Sequence, residues 1–157
     1  MKRIPNLNGI WLAGLLALAA APALAADGLS AHHAWVRAAP PMARMLAGYV
    51  TLKNSTDQPV RIVGAESPAF DAVEMHRSVI KNGVAHMIEQ DSVTVPAHGD
   101  FGFAPGGYHL MLIHPKHALR VGDSVNMTLR LKDGRTVSFK MPVRKANGAA
   151  MPKHMQH

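Results

Sequence analysis

Three groups of metal-capable side chains stand out in a chain with no cysteine: Met75-His76, Met87 and His109-Leu110-Met111. Ten residues separate His76 from Met87, and twenty-one separate Met87 from His109. The 157 residues include ten methionines and ten histidines. Thioether and imidazole together suit copper, and thioether in particular suits Cu(I). Two nitrogens and two sulfurs, all neutral, satisfy a soft d10 ion, whereas Zn(II) takes more nitrogen, carboxylate or thiolate. A blue-copper centre is excluded, because it needs a cysteine thiolate. Thioethers do not titrate, so only the imidazoles couple binding to protons, and affinity should fall as pH drops through the imidazole range.

For these groups to meet, strands must carry them. Asn82-Gly83 is a preferred pair for a two-residue type I′ hairpin. Such a turn sets Lys81 opposite Val84, His76 opposite Glu89, and Ser78 opposite Met87. Side chains alternate along a strand, so His76 and Met87 become diagonal neighbours on one face, while Met75 and His86 point to the other. His109 and Met111 likewise share a face, with Leu110 directed to the core. The candidate site is therefore His76, Met87, His109 and Met111 around one Cu(I). Glu74 has the same parity as His76 and is a candidate acceptor for an imidazole N–H. Release of a bound ion requires an open edge, which places His109 and Met111 near the surface.

The rest of the chain reads as closely spaced short strands: Ala47–Lys53, Val60–Glu66, Val73–Ile80, Ala85–Glu89, Ser92–Val95, Phe101–Phe103, His109–Ile113, Ser124–Leu131 and Thr136–Met141. Asp133-Gly134 is a second candidate for a two-residue type I′ turn, and Gly106-Gly107 breaks the chain just before His109. Many short strands with frequent turn signals predict an all-β fold, an antiparallel sandwich or barrel. Asp27 to His33 reads as a polar lead-in. Met42 and Met45 are expected to pack, and Met127 and Met141 to fill the core or its edge. His98, His114 and His117 are read as surface or structural, and His32-His33 as weaker candidates for extra donors.

At the N-terminus, Lys2 and Arg3 precede an apolar run from Ile10 to Leu24 that ends in Ala23-Leu24-Ala25. This is the pattern of a secretory signal peptide, 1–25, cleaved after Ala25 or at the next bond. An uncleaved anchor is the alternative. Removal of 1–25 leaves 132 residues, with 15 Lys+Arg against 10 Asp+Glu. That mild, dispersed basicity fits a solvated surface and gives no basic-aromatic stripe for nucleic acid. An exported chain meets oxidising conditions, where thiolate ligands pair into disulfides; thioethers do not. The domain is expected over 26–144, followed by a flexible tail, 145–157. Met151, His154, Met155 and His157 in that tail form a loose second donor cluster, one in which the imidazoles suit Cu(II).

The arrangement Met75-His76-x10-Met87-x21-His109-x-Met111 resembles the copper motif of the PCuAC-type periplasmic copper chaperones. Ala34-Trp35-Val36-Arg37-Ala38-Ala39-Pro40-Pro41, Ala47 to Asn54, Val73 to His76 and Pro105 to Leu112 are similar to further blocks of that family. Together they span roughly residues 34–143. The resemblance implies a cupredoxin-like β-sandwich holding Cu(I) near one end, with His76, Met87, His109 and Met111 as ligands. It further implies delivery in the periplasm to a cuproprotein, chiefly the CuA centre of cytochrome c oxidase, directly or through a thiol-containing assembly factor. It also implies that some relatives bind additional copper through a C-terminal extension. The expected protein is a monomer, not an enzyme. Copper storage or detoxification is the alternative function. A histidine-brace oxygenase would need cleavage after Ala31 to expose His32, and a metal-free adhesion or scaffold sandwich would use none of these donors.

Overall fold

The computed structural model describes residues 28–146. The segment 1–25 expected to be a signal peptide and the tail residues Met151, His154, Met155 and His157 expected as extra donors lie outside the described residues. Every regular element among the described residues is a strand: β1 (Leu29–Arg37), β2 (Met45–Asn54), β3 (Val60–Glu66), β4 (Phe70–Lys81), β5 (Val84–Glu89), β6 (Val93–Val95), β7 (Asp100–Phe103), β8 (Tyr108–Pro115), β9 (Ser124–Leu131) and β10 (Thr136–Arg144). Hydrogen bonding runs β4–β8–β2–β1–β10–β9–β3, and the Ala65–Val73 pair returns from β3 to β4, so the sheet closes into a barrel. Closure removes most free edges. β5 extends outward from β4, β6 from β3, and β7 lies against β2.

The interior follows from alternation. Val125, Met127, Leu129 and Leu131 on β9 are buried at every second position, as are Leu110 and Leu112 on β8; on β10 Val137, Met141 and Val143 are buried, with Phe139 between them partly so. Met127 and Met141 are fully buried, as expected. Gly48, on the inner side of β2 between Val36 and Leu110, stands where neighbouring side chains approach closely. A Cβ there would sit 3.1 Å from the Met141 methyl and 3.4 Å from Leu110. The one buried polar side chain at the end of β2, Asn54, ties two loops together, the β2–β3 loop and the β6–β7 loop. Its Nδ2 donates to the carbonyls of Gln58 (2.7 Å) and Pro96 (3.1 Å), and its Oδ1 accepts from the Thr56 amide (3.0 Å) and hydroxyl (2.8 Å).

Four expectations change. Asp27 to His33 is not merely a lead-in: β1 starts at Leu29 and pairs with β2, its register shifting between His32 and Trp35 around a positive φ at His33. The bulge breaks the alternation that would have revealed the strand. The sheet is not wholly antiparallel, because β1 and β10 pair in parallel, as do β7 and β8 at Phe103–Tyr108. The first and last strands have the whole intervening chain as their crossover, which a parallel pair requires. Asp133-Gly134 does not form a two-residue turn. Leu131 faces Arg135 across three residues, with positive φ only at Gly134, the three-residue hairpin closed by a bulge. Asp133 there accepts from the Arg135 amide (3.0 Å) and guanidinium (2.8 Å), in that order the main causes holding its carboxyl below the usual range. Finally, Met42 and Met45 do not pack; they are 90% and 58% exposed.

Candidate metal centre

β4 is the organising strand of the site, because it is paired on both sides. The Asn82-Gly83 turn has positive φ at both residues, as type I′ demands, and sets His76–Glu89, Ser78–Met87 and Lys81–Val84 opposite one another. On its other side β4 pairs with β8, and His76 falls directly opposite His109, Glu74 opposite Met111. Beyond β8, Ala47 of β2 faces Met111. Parity therefore puts Glu74, His76, Met87, Glu89, His109 and Met111 on one outer face of the barrel wall.

That face is not open to water throughout. Met75 and His76 are adjacent on β4 and both buried, as are His109 and Leu110 on β8. Adjacent strand residues point to opposite faces, so the outer face must be covered here. His76 is 9% and His109 6% exposed, and their rings lie 5.8 Å apart. Met111 is half-buried and Met87 exposed. The expectation that His109 lies near the surface is therefore corrected: the thioether of Met87, on the outermost strand, is the accessible donor. Met87, Met111 and His109 line one cavity of about 310 Å³, with Arg37, Ala38, Ala39, Met45, Leu46 and Ala47. The Arg37 guanidinium at this cavity stacks over Tyr49, 5.5 Å from the ring centre.

Hydrogen bonding fixes which ring nitrogens are left over. His76 Nε2 lies 2.8 Å from Glu74 Oε2. A carboxylate only accepts, so Nε2 carries the hydrogen and Nδ1 the lone pair. His109 Nδ1 lies 3.4 Å from the Gly107 carbonyl, which likewise leaves the lone pair on Nε2. His76 Nδ1 and His109 Nε2 are both buried, and neither has a hydrogen-bond partner among the described residues. A buried, unsatisfied polar atom costs about 1–3 kcal/mol, so two facing rings that both carry one point to a missing partner. Imidazole lone pairs, with N–H groups anchored to a carboxylate and a carbonyl, are the arrangement that histidine ligands show. The Gly107 carbonyl also accepts from the Ser78 amide (3.0 Å), so the Gly106-Gly107 turn locks β8 onto β4 beside the rings.

Strand spacing alone did not single out Glu89 as a member of the site. Its carboxylate, that of Glu74 and His76 bring one ligand atom each within 4.8 Å of one another. This is a harder donor set that shares His76. The 2.8 Å contact from Glu74 to Nε2 makes that carboxylate an orienting partner of His76 and leaves Nδ1 as its donor atom. Other candidates lie apart. His32 pairs with Thr51 toward the far end of β1 and its Nε2 contacts Ser30 at 2.8 Å; neither it nor His33 lines the cavity. His98 bonds Asp57 (2.6 Å) and His114 faces Asp71 (3.6 Å), both exposed. His86 points away from Met87, as parity requires.

The chain's relatives agree with this architecture. The family model described as "Putative lipoprotein LpqE-like" matches residues 29–143. A curated protein with the same kind of lipoprotein description, Lxx21020 of Leifsonia xyli subsp. xyli (strain CTCB07), is 38% identical over 136 residues, 86% of this chain and 81% of the relative. Among solved structures, the copper-bound PCuAC domain from PmoF2 superposes with a TM-score of 0.65 at 25% identity, covering 78% of this chain and 97% of that one. The solution structure of CuI-DR1885 from Deinococcus radiodurans gives 0.62 at 36% identity, covering 82% and 85%. The cupredoxin-like all-β architecture expected from the sequence is the one observed.

Proposed function

Because this chain belongs to the LpqE-like family, whose solved relatives are PCuAC domains, we propose that it is a copper chaperone that binds Cu(I) through His76, Met87, His109 and Met111. One observation carries the reading: two buried imidazole nitrogens without partners among the described residues, on the face where Met87 and Met111 line one cavity. Neutral nitrogen and sulfur donors suit a soft monovalent ion, and they discriminate against hard dications. The two imidazoles would hold the ion on the barrel wall, and Met87 and Met111 would hand it outward. The half-open arrangement supports a carrier that must also release its cargo.

In this reading the protein is exported through the 1–25 signal segment and works in the periplasm as a monomer. Its recipient is a cuproprotein with thiolate ligands, in the first place the CuA centre of cytochrome c oxidase or a thiol-containing assembly factor. Thiolates bind Cu(I) more strongly than thioethers, so transfer runs downhill. Met151, His154, Met155 and His157 would add a secondary, Cu(II)-capable cluster. No catalytic role is assigned.

Anaerobic Cu(I) titration against a competing chelator, with X-ray absorption on the loaded full-length chain, tests the proposal. It predicts one tight Cu(I) with two nitrogen and two sulfur neighbours. Met87→Ala and Met111→Ala should each weaken binding at least tenfold and remove one sulfur, with melting of the apo domain little changed. Unaltered affinity in both variants would refute the ligand set. His154→Ala with His157→Ala should leave the Cu(I) spectrum intact and reduce only Cu(II) uptake.

A further inference from the structure

The cavity beside His109 has a third thioether that the His/Met motif does not include. Met45 begins β2 and lines this cavity together with Met87 and Met111. Register explains why. β2 pairs with β8 as Met45–Ile113 and Ala47–Met111, so Met45 and Met111 are diagonal neighbours on the same outer face. On the β2 side, the residue directly opposite Met111 is an alanine, Ala47, a short side chain that also lines the cavity. Three strands thus each send one methionine into one concavity: β2, β8 and β5. The donors are graded by depth, with Met87 61% and Met45 58% exposed, Met111 half-buried and His109 6% exposed at the inner end. Apart from the Arg37 guanidinium, the remaining lining side chains are Ala38, Ala39, Leu46 and Ala47, none of which offers a donor.

We infer that Met45 is a transit ligand: it takes Cu(I) at the mouth of the cavity and passes it to and from the four-donor site. This rests on the copper-carrier reading above. The step is a ligand exchange. A Cu–S bond to Met45 forms as a bond to His109 or Met111 breaks; copper stays Cu(I), and no proton moves, because a thioether is neutral in both states. Low-coordinate Cu(I) accepts such an incoming sulfur readily. Leucine at position 45 would fill similar volume but offer no donor, so Met45→Leu separates a role of the sulfur from one of packing.

The experiment compares full-length wild type, Met45→Leu, Met111→Leu and Met42→Leu. Met42 is an equally ordinary methionine, 90% exposed, and lines no part of the cavity. Equilibrium Cu(I) affinity is measured by chelator competition, and release by stopped-flow transfer to the same chelator. Separately, methyl-13C methionine NMR follows substoichiometric Ag(I), a redox-silent stand-in for Cu(I). Met45→Leu should slow loading and release about fivefold or more while leaving affinity within about twofold of wild type. Its methyl resonance in wild type should shift or broaden with Ag(I), whereas that of Met42 should not. Rates equal to wild type, or an unperturbed Met45 methyl, overturn the proposal. So does an affinity loss as large as that of Met111→Leu, which would make Met45 a resident ligand. Failure of wild type itself to bind Cu(I) would instead sink the carrier reading, and the two results are told apart by the wild-type titration alone.

Discussion

His76 has two ring nitrogens with opposite tasks. Nε2 is held by Glu74 at 2.8 Å, and that contact decides that Nδ1 is the atom with the lone pair. Without the carboxylate the neutral ring would populate both tautomers and rotate more freely, and part of the time the hydrogen would sit where copper should. Glu74→Ala should therefore lower Cu(I) affinity roughly 10- to 100-fold, the usual cost of losing such an anchor. Glu74→Gln keeps an accepting oxygen and should lose much less. X-ray absorption on both variants should count the same sulfur and nitrogen neighbours as wild type. A drop in the number of light-atom neighbours would show that Glu74 binds the ion directly, as one of the trio with Glu89. Parity made this residue legible before any coordinates: positions 74, 76 and, across the hairpin, 87 must share a face. Met45 was not legible, because its approach to Met111 depends on how β2 aligns with β8, and nothing local encodes that alignment.

At the level of elements, the two sides of β4 differ in how far the chain announces them. The β4–β5 pairing is set by Asn82-Gly83, both residues adopting the positive φ that this turn needs, and its register follows by counting. The β4–β8 pairing spans more than thirty residues and was legible only as a need for His109 and Met111 to meet His76. That His76 and His109 stand directly opposite is a matter of the long-range β4–β8 register, which no local turn encodes. β1 escaped notice because its bulge at His32 to Trp35 hides the period of two. The loops after β2 and β6 are joined by Asn54, which is fully buried and bonds to Gln58, Thr56 and Pro96. Replacing it by alanine removes the side-chain partner of two part-buried carbonyls and an amide and empties a fully buried position, at about 2–3 kcal/mol. For a domain of this size that is a fall in Tm of roughly 10 °C. Asn54 contacts no donor, so Cu(I) affinity of the folded Asn54→Ala protein should equal that of wild type. A Tm within a degree or two of wild type would show that the network contributes little.

For the molecule as a whole, the site joins parts of unequal stability. β4 and β8 belong to the closed barrel, whereas β5 hangs from β4 alone and exposes all six of its residues. Few buried contacts hold it, so in the apo protein its amides should exchange through local opening, well before those of β9 and β10. A metal ligated by Met87 as well as by His76, His109 and Met111 ties β5 to the wall, because β5 can then open only if a copper–sulfur bond breaks. Binding at 100 times the dissociation constant stabilises the native state by about 2.7 kcal/mol. Core amides that exchange by global unfolding should slow accordingly. If Met87 is a ligand, β5 amides should slow as well, by a factor set by the share of binding energy that its sulfur supplies. Hydrogen exchange read by mass spectrometry, apo against Cu(I)-loaded, separates the cases. Slowing in both β5 and the core fits a clamp across three strands. Slowing in the core with β5 unchanged would mean that copper is held by the barrel wall without the outer strand, and Met87 would lose its place among the ligands.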